Sequence, residues 1–160
     1  EIYQCDWSSD VCSSDLEMNN TIVTITFVFL MIVSFFAFCP LARAETNITI
    51  DKSQQTMRVD SDQGTYEWPV STARRGFTTP TGTFHVQTME KMHHSRLYDW
   101  SPMPSSIFFN GNIAIHGTPH TSNLGRPASH GCVRLHPTNA ATLYGIVSKD
   151  RSGTTIRVIE

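Results

Sequence analysis

A mainly β fold with one short helix is what the sequence predicts, on three observations. Short runs alternate apolar and polar residues, as in Asn47–Asp51 and Thr56–Asp60. An Asn110-Gly111 pair sits between two apolar runs, a strong hairpin signal. One apolar stripe at helical spacing, Ala140, Leu143, Tyr144 and Val147, follows Cys132.

The elements follow in order. Residues 1–17 lack apolar periodicity and carry a near-repeat, Ser8-Ser9-Asp10-Val11-Cys12 then Ser13-Ser14-Asp15. They resemble a translated sequencing adaptor ahead of a start at Met18 and are set apart from the fold. Residues 18–44 hold an uncharged apolar run and then Ala42-Arg43-Ala44, a small-x-small triplet. A secretory signal peptide is expected there, with Glu45 opening the mature chain. The run is nearly long enough to span a bilayer, so an uncleaved anchor is the alternative. Phe38 is bulky before Cys39, so lipidation is not expected.

Residues 45–160 are expected to form one domain. They carry 11 Lys+Arg against 9 Asp+Glu with no basic run, which gives nucleic acid binding no support. Cys132 is their single cysteine, so an internal disulfide is excluded. After the first two strands, Gly64 leads into a strand over Thr65–Val70, with Pro69 marking an edge or bulge. Ser71–Gly82 reads as loop and Thr83–Gln87 as strand, with His85 facing solvent. Met89–Ser105 reads as a long irregular stretch, the kind that serves as a lid over a site. His93 and His94 are expected on its surface. The hairpin Ile107–Ile115 then ends at His116. Gly117–Cys132 is loop, Pro137 suits the first helical position, and Thr154–Ile159 closes the fold as a strand.

Chemistry gathers in Ser129-His130-Gly131-Cys132-Val133-Arg134-Leu135. A thiolate is a far better nucleophile than a thiol and needs a base or a positive field to form near neutral pH. Cys132 stands a few residues before the expected helix, whose N-terminal dipole favours negative charge. Gly131 permits close backbone approach, so nearby amides are candidates for an oxyanion hole. Two histidines are candidate bases, His130 two positions away and His116 at the end of the hairpin. A base on a rigid hairpin is better held, which slightly favours His116.

Ile115-His116-Gly117-Thr118, Leu124-Gly125-Arg126-Pro127 and Ser129–Leu135 together resemble the signature of L,D-transpeptidase (YkuD-like) catalytic domains. Pro69-Val70-Ser71-Thr72, Thr79–Phe84 and Met103-Pro104 with Phe108-Phe109 are also similar to the family's pattern. The resemblance covers residues 47–159. It implies a compact β-sandwich of mixed sheets with a short helix after the cysteine. It implies Cys132 as nucleophile, His116 as general base, and the Gly117 carbonyl as the group orienting the imidazole, the part an Asp plays in other triads. His130 and the amides of Gly131 and Cys132 would line the oxyanion hole or donor pocket. Arg134 would hold a substrate carboxylate and Ser129 would fix the loop.

The implied partners are peptidoglycan stem peptides. Cys132 attacks the diaminopimelate carbonyl of a tetrapeptide stem, releases D-alanine, and passes the acyl group to an amine: a second stem, a protein lysine or a free D-amino acid. Water as acceptor would give an L,D-carboxypeptidase. No metal or organic cofactor is needed, and the implied compartment is the periplasm or envelope of a Gram-negative cell.

Two other classes stand beside this one. His116, His120, His130, Cys132 and His136 are enough ligands for zinc, but Gly117 and Pro119 keep His116 and His120 off one helix, and no zinc-type spacing is present. A non-catalytic peptidoglycan-binding module would use Tyr98, Trp100, Phe108 and Phe109 as a platform, and would have no need of a reactive thiol.

Overall fold

The alternating runs become strands in the computed structural model, which describes residues 45–160. The expected signal segment 18–44, residues 1–17, and with them Cys5, Cys12 and Cys39, lie outside the described residues. Strands β1 (Thr46–Asp51) and β2 (Thr56–Ser61) pair antiparallel, with Ile48 opposite Val59 and Ile50 opposite Met57. All four are buried, because a period of two sends alternate side chains to one face. β3 (Gly64–Pro69) is an edge strand, where the missing N–H of Pro69 is tolerated. β9 (Thr154–Ile159) runs parallel to β1, and β4 (Gly82–His85) closes the sheet in the order β3-β2-β1-β9-β4. His85 is exposed, as expected for the polar position of that strand.

The second sheet runs β5-β6-β7-β8, from β5 (Thr88–Ser95), β6 (Ser101–Asn110), β7 (Ile113–Gly117) and β8 (Val133–Leu135). β7 and β8 are parallel, so both sheets are mixed. They share one core with helix α1 (Pro137–Lys149): Ile48 and Ile156 from the first sheet, Phe109 and Ile115 from the second, and Leu143 and Val147 from the helix. Phe84 and Phe109 meet between the sheets with ring centroids 5.3 Å apart. The chain therefore folds as the expected mainly β sandwich with one helix, and residues 45–160 lie in one compact unit. Among the described residues no helix is long and apolar enough to cross a membrane.

Three local expectations change. Met89–Ser105 is a hairpin of β5 and β6 rather than an irregular stretch. Pro102 and Pro104 argue against a strand in the sequence, but β7 pairs only with Ile107, Phe108 and Asn110 of β6. The prolines thus sit where, among the described residues, β6 has β5 on one side and no ladder partner on the other, an edge position at which proline is tolerated. In the next hairpin Asn110 pairs with Ile113, so the two-residue loop is Gly111-Asn112, with Gly111 at φ 55° and a register shift between Phe108 and Asn110. In α1, Pro137 opens the first turn as expected, but Ile146 joins Ala140, Leu143 and Val147 in the core while Tyr144 is half-buried.

Candidate active site

Strand register decides which side chains share a face. β7 and β8 pair Ile115 with Val133 and His116 with Arg134. Ile115, Val133 and Leu135 are fully buried in the core. The alternate residues His116 and Arg134, with Cys132 two positions before Arg134, fall on the other side. His116, Cys132, Arg134 and His130 line one cavity of about 680 Å³, whose far wall is the β5–β6 hairpin, including His93, Arg96 and Tyr98.

The loop carrying Cys132 is held from the opposite side by the segment after β3. Ser71 and Arg134 exchange both backbone bonds, at 3.0 and 2.9 Å. Ala128 and Ser129 donate to the Thr72 carbonyl at 3.0 and 2.9 Å, and Arg74 N–H donates to the Ser129 carbonyl at 3.0 Å. Gln55 braces this segment from the β1–β2 turn. Its side-chain amide donates to Thr72 Oγ1 at 2.7 Å, and its Oε1 accepts from Thr72 N–H at 2.9 Å. The buried Thr79 hydroxyl donates to the Gly131 carbonyl at 2.7 Å and accepts from Ala73 N–H at 3.0 Å. Gln55 and Thr79 escape sequence reasoning, because their partners lie 17 and 52 residues away and no local pattern announces them.

Ser129 is buried, and its Oγ accepts from the Gly131 N–H at 3.0 Å, which ties the loop to itself. The Gly131 amide is therefore engaged within the loop. Glycine is required at 131: φ is 137°, and a Cβ would stand 2.8 Å from Ile113 Cδ1 and 3.2 Å from the Thr78 carbonyl. Gly117 is fixed by crowding instead, with a Cβ position 3.1 Å from both Pro104 Cγ and Pro137 Cα.

His116 is 6% exposed, and its Nδ1 lies 2.7 Å from the Gly117 carbonyl. A carbonyl only accepts, so Nδ1 carries the proton and Nε2 keeps a lone pair. Burial pulls the imidazole down to about 4. The Gly117 carbonyl works against this, and Arg134 and His93 add to it. Burial likewise pushes the Cys132 thiol up, while the Ala114 amide and the Arg134 charge pull the other way. Both groups thus rest neutral, and the sulfur lies 3.7 Å from the Asn112 carbonyl. The N-terminus of α1 does not adjoin Cys132 along the chain. β8 intervenes, and at about 3.3 Å per residue its three residues put roughly 10 Å of extended chain between Cys132 and α1. Arg134 provides a positive charge.

Arg134 is half-buried, and among the described residues no carboxylate pairs with it. Burial lowers its affinity for the proton, Cys132 raises it and Arg74 lowers it. His130 accepts from Arg74 Nη2 at 2.7 Å through Nε2, since a guanidinium only donates. Its ring stacks on Tyr98 at 4.4 Å and meets the edge of Phe77 at 4.5 Å. Burial, Arg74 and Arg134 all lower its basicity. His93, expected on a loop surface, is instead a half-buried strand residue lining the cavity. Its Nδ1 is 2.9 Å from Glu90 Oε2. Phe109 is a core residue, 1% exposed, so it cannot belong to a surface platform with Tyr98 and Trp100. Among the described residues no three His, Cys, Asp or Glu side chains group to hold a metal ion.

Solved structures of known proteins are similar to this fold. A solved L,D-transpeptidase from Stackebrandtia nassauensis is 28% identical with a TM-score of 0.64, over 78% of this chain and 60% of that one. An L,D-transpeptidase from Mycobacterium smegmatis is 26% identical with a TM-score of 0.64, over 73% of this chain and 59% of that one. An L,D-transpeptidase from Xylanimonas cellulosilytica is 27% identical with a TM-score of 0.60, over 75% and 63%. The chain spans about three-fifths of the length of these structures. No curated protein matches it significantly. Residues 45–158 match the YkuD family, the L,D-transpeptidase catalytic domain, and the chain belongs to that family.

Proposed function

We propose that the protein is an exported peptidoglycan L,D-transpeptidase with Cys132 as nucleophile and His116 as general base. The observation that carries this reading is the shared cavity: a part-buried thiol and an imidazole with a free Nε2 lone pair open on the same space. Because both groups rest neutral, proton transfer from Sγ to Nε2 accompanies attack on the donor carbonyl rather than preceding it. His116 then hands that proton to the departing D-alanine amine. The Cys132 amide meets the developing oxyanion, the Gly131 amide being engaged by Ser129 Oγ. Arg134, without a carboxylate partner among the described residues, holds a carboxylate of the stem. His130 shapes the donor pocket, clasped by Arg74 and Tyr98. The resulting thioester passes to an amine, in the periplasm of a Gram-negative envelope reached through the signal segment.

Intact-protein mass spectrometry with a tetrapeptide-stem muropeptide tests this. The wild type is expected to gain the stem mass less D-alanine, and Cys132→Ala to gain nothing. A folded, reduced wild type that forms no adduct and releases no D-alanine refutes the reading. Products formed with and without an amine separate transfer from hydrolysis.

A further inference from the structure

The thioester's second partner arrives as an ammonium ion, which has no lone pair and must lose a proton before it attacks. His116 already serves the Cys132 thiol, and a second acceptor for that proton would leave it free to do so. Among the described residues the cavity lining contains no Asp or Glu. One carboxylate nevertheless reaches it through a neighbour: Glu90 Oε2 stands 2.9 Å from Nδ1 of His93, and His93 lines the cavity together with Cys132 and His116. The pair is built into the hairpin wall. Both residues belong to β5, and the His93 ring is set edge-on against Phe108 of β6, with centroids 5.1 Å apart.

Resting on the transpeptidase reading, we propose that His93, backed by Glu90, is a second catalytic base that deprotonates the acceptor amine. Glu90 accepts from Nδ1–H, which fixes the tautomer and leaves the lone pair on Nε2. The carboxylate also balances the charge that His93 acquires, so the pair suits an incoming cation in a cavity otherwise lined by Arg96, Arg134 and imidazoles. The acceptor's N–H bond breaks and its proton goes to His93 Nε2. The freed amine forms a C–N bond with the thioester carbon, and the C–S bond breaks to give the Cys132 thiolate. The second proton, from the new amide nitrogen, passes to His116 Nε2 and then to the sulfur. His93 returns its proton to water. The other titratable groups facing this space are Arg96 and Tyr98 on the hairpin turn, His116 on β7, His120 beyond it, and His130 and Arg134 beside Cys132. β6 presents Met103 and Phe108 to His93, neither of which titrates.

The test separates the half-reactions in the full chain. Acylation is followed as D-alanine release in a single turnover, and aminolysis as loss of the adduct on adding D-leucine over a range of pH. His93→Gln is expected to lower aminolysis about 100-fold relative to acylation on the same sample, the usual scale of one positioned base. Its aminolysis profile should also lose one ionisation. Glu90→Gln, which removes only the charge, should give a smaller drop in the same direction and covers the case in which His93→Gln does not fold. If either folded variant slows both half-reactions equally, or slows neither, the assignment is overturned. A wild type that never forms the adduct overturns it together with the reading beneath it, whereas a normal adduct with unaltered aminolysis removes His93 alone.

Discussion

At the scale of single residues the candidate site depends on side chains outside its cavity lining, Thr79 and Gln55 among them. The Gly131 peptide must be held at a positive φ beside Cys132, and Thr79 holds it with a buried hydroxyl that is donor and acceptor at once. Thr79→Val keeps the shape and deletes both bonds, leaving the Ala73 N–H and the Gly131 carbonyl without that partner. The expected cost is about 1–3 kcal/mol in urea unfolding, with kcat falling more than KM rises. Thr79→Ser should restore kcat, because it returns the hydroxyl; a Ser variant as slow as Val would mean that only packing matters at this position. The same distinction explains what the sequence disclosed about the site. Cys132, His116 and Arg134 are legible because their types and spacing form a local motif on two strands. Gln55 and Thr79 are not, since each bonds a partner that only the tertiary fold brings near, and His93 is not, since only the fold sets it in the same cavity as Cys132.

At the scale of elements the β5–β6 hairpin carries the tension between sequence and fold. The β1–β2 pair and α1 were readable because burial on one face imposes a period of two or 3.6, and the β6–β7 hairpin because a turn signal separates two apolar runs. β5 and the first half of β6 line a cavity rather than the core, so their side chains carry no clean period, and Pro102 and Pro104 disguise the strand further. The turn joining them is also unusual. Ser101 N–H donates to the Tyr98 carbonyl at 2.8 Å across Asp99 and Trp100, whose φ values are 48° and 55°, as a type I′ turn requires. A left-handed conformation costs an L-residue roughly 1–2 kcal/mol, and Trp100 is 64% exposed with little packing to offset it. Trp100→Gly creates the Asp-Gly pair such turns favour. After allowing roughly 0.5–1 kcal/mol for glycine's added freedom when unfolded, a net gain of about 0.5 kcal/mol is expected. Differential scanning calorimetry should show a Tm increase of about 2 °C. A lower Tm would mean that the indole makes contacts worth more than its strain.

For the molecule as a whole, a buried imidazole behind a shared core, the base proposed above, links chemistry to stability. His116 lies on the cavity face of β7, opposite the side that packs in that core, and burial holds it at about 4, below its ordinary 6.5. Between those values the unfolded chain binds a proton that the folded chain refuses, so stability is complete above pH 6.5 and is lost as pH falls toward 4. The shift corresponds to a loss on the order of 3 kcal/mol. His130 shifts in the same direction, but it is far more exposed and adds little. Asp51 and Asp60 act in a different window. Hydrogen bonds to Gln54 and Ser53, and to Arg58 and Thr65, hold these exposed carboxyls below 3.8, so their contribution is lost only at still lower pH. Urea unfolding at pH 7, 6, 5 and 4 should therefore show a decline that His116→Asn largely removes, while a decline of equal slope in the variant would assign it to other groups. The same burial keeps His116 unprotonated through the mildly acidic range. An acid limb of kcat/KM set by this residue should then fall near 4 rather than 6.5, so acidification weakens the fold before it protonates the proposed base.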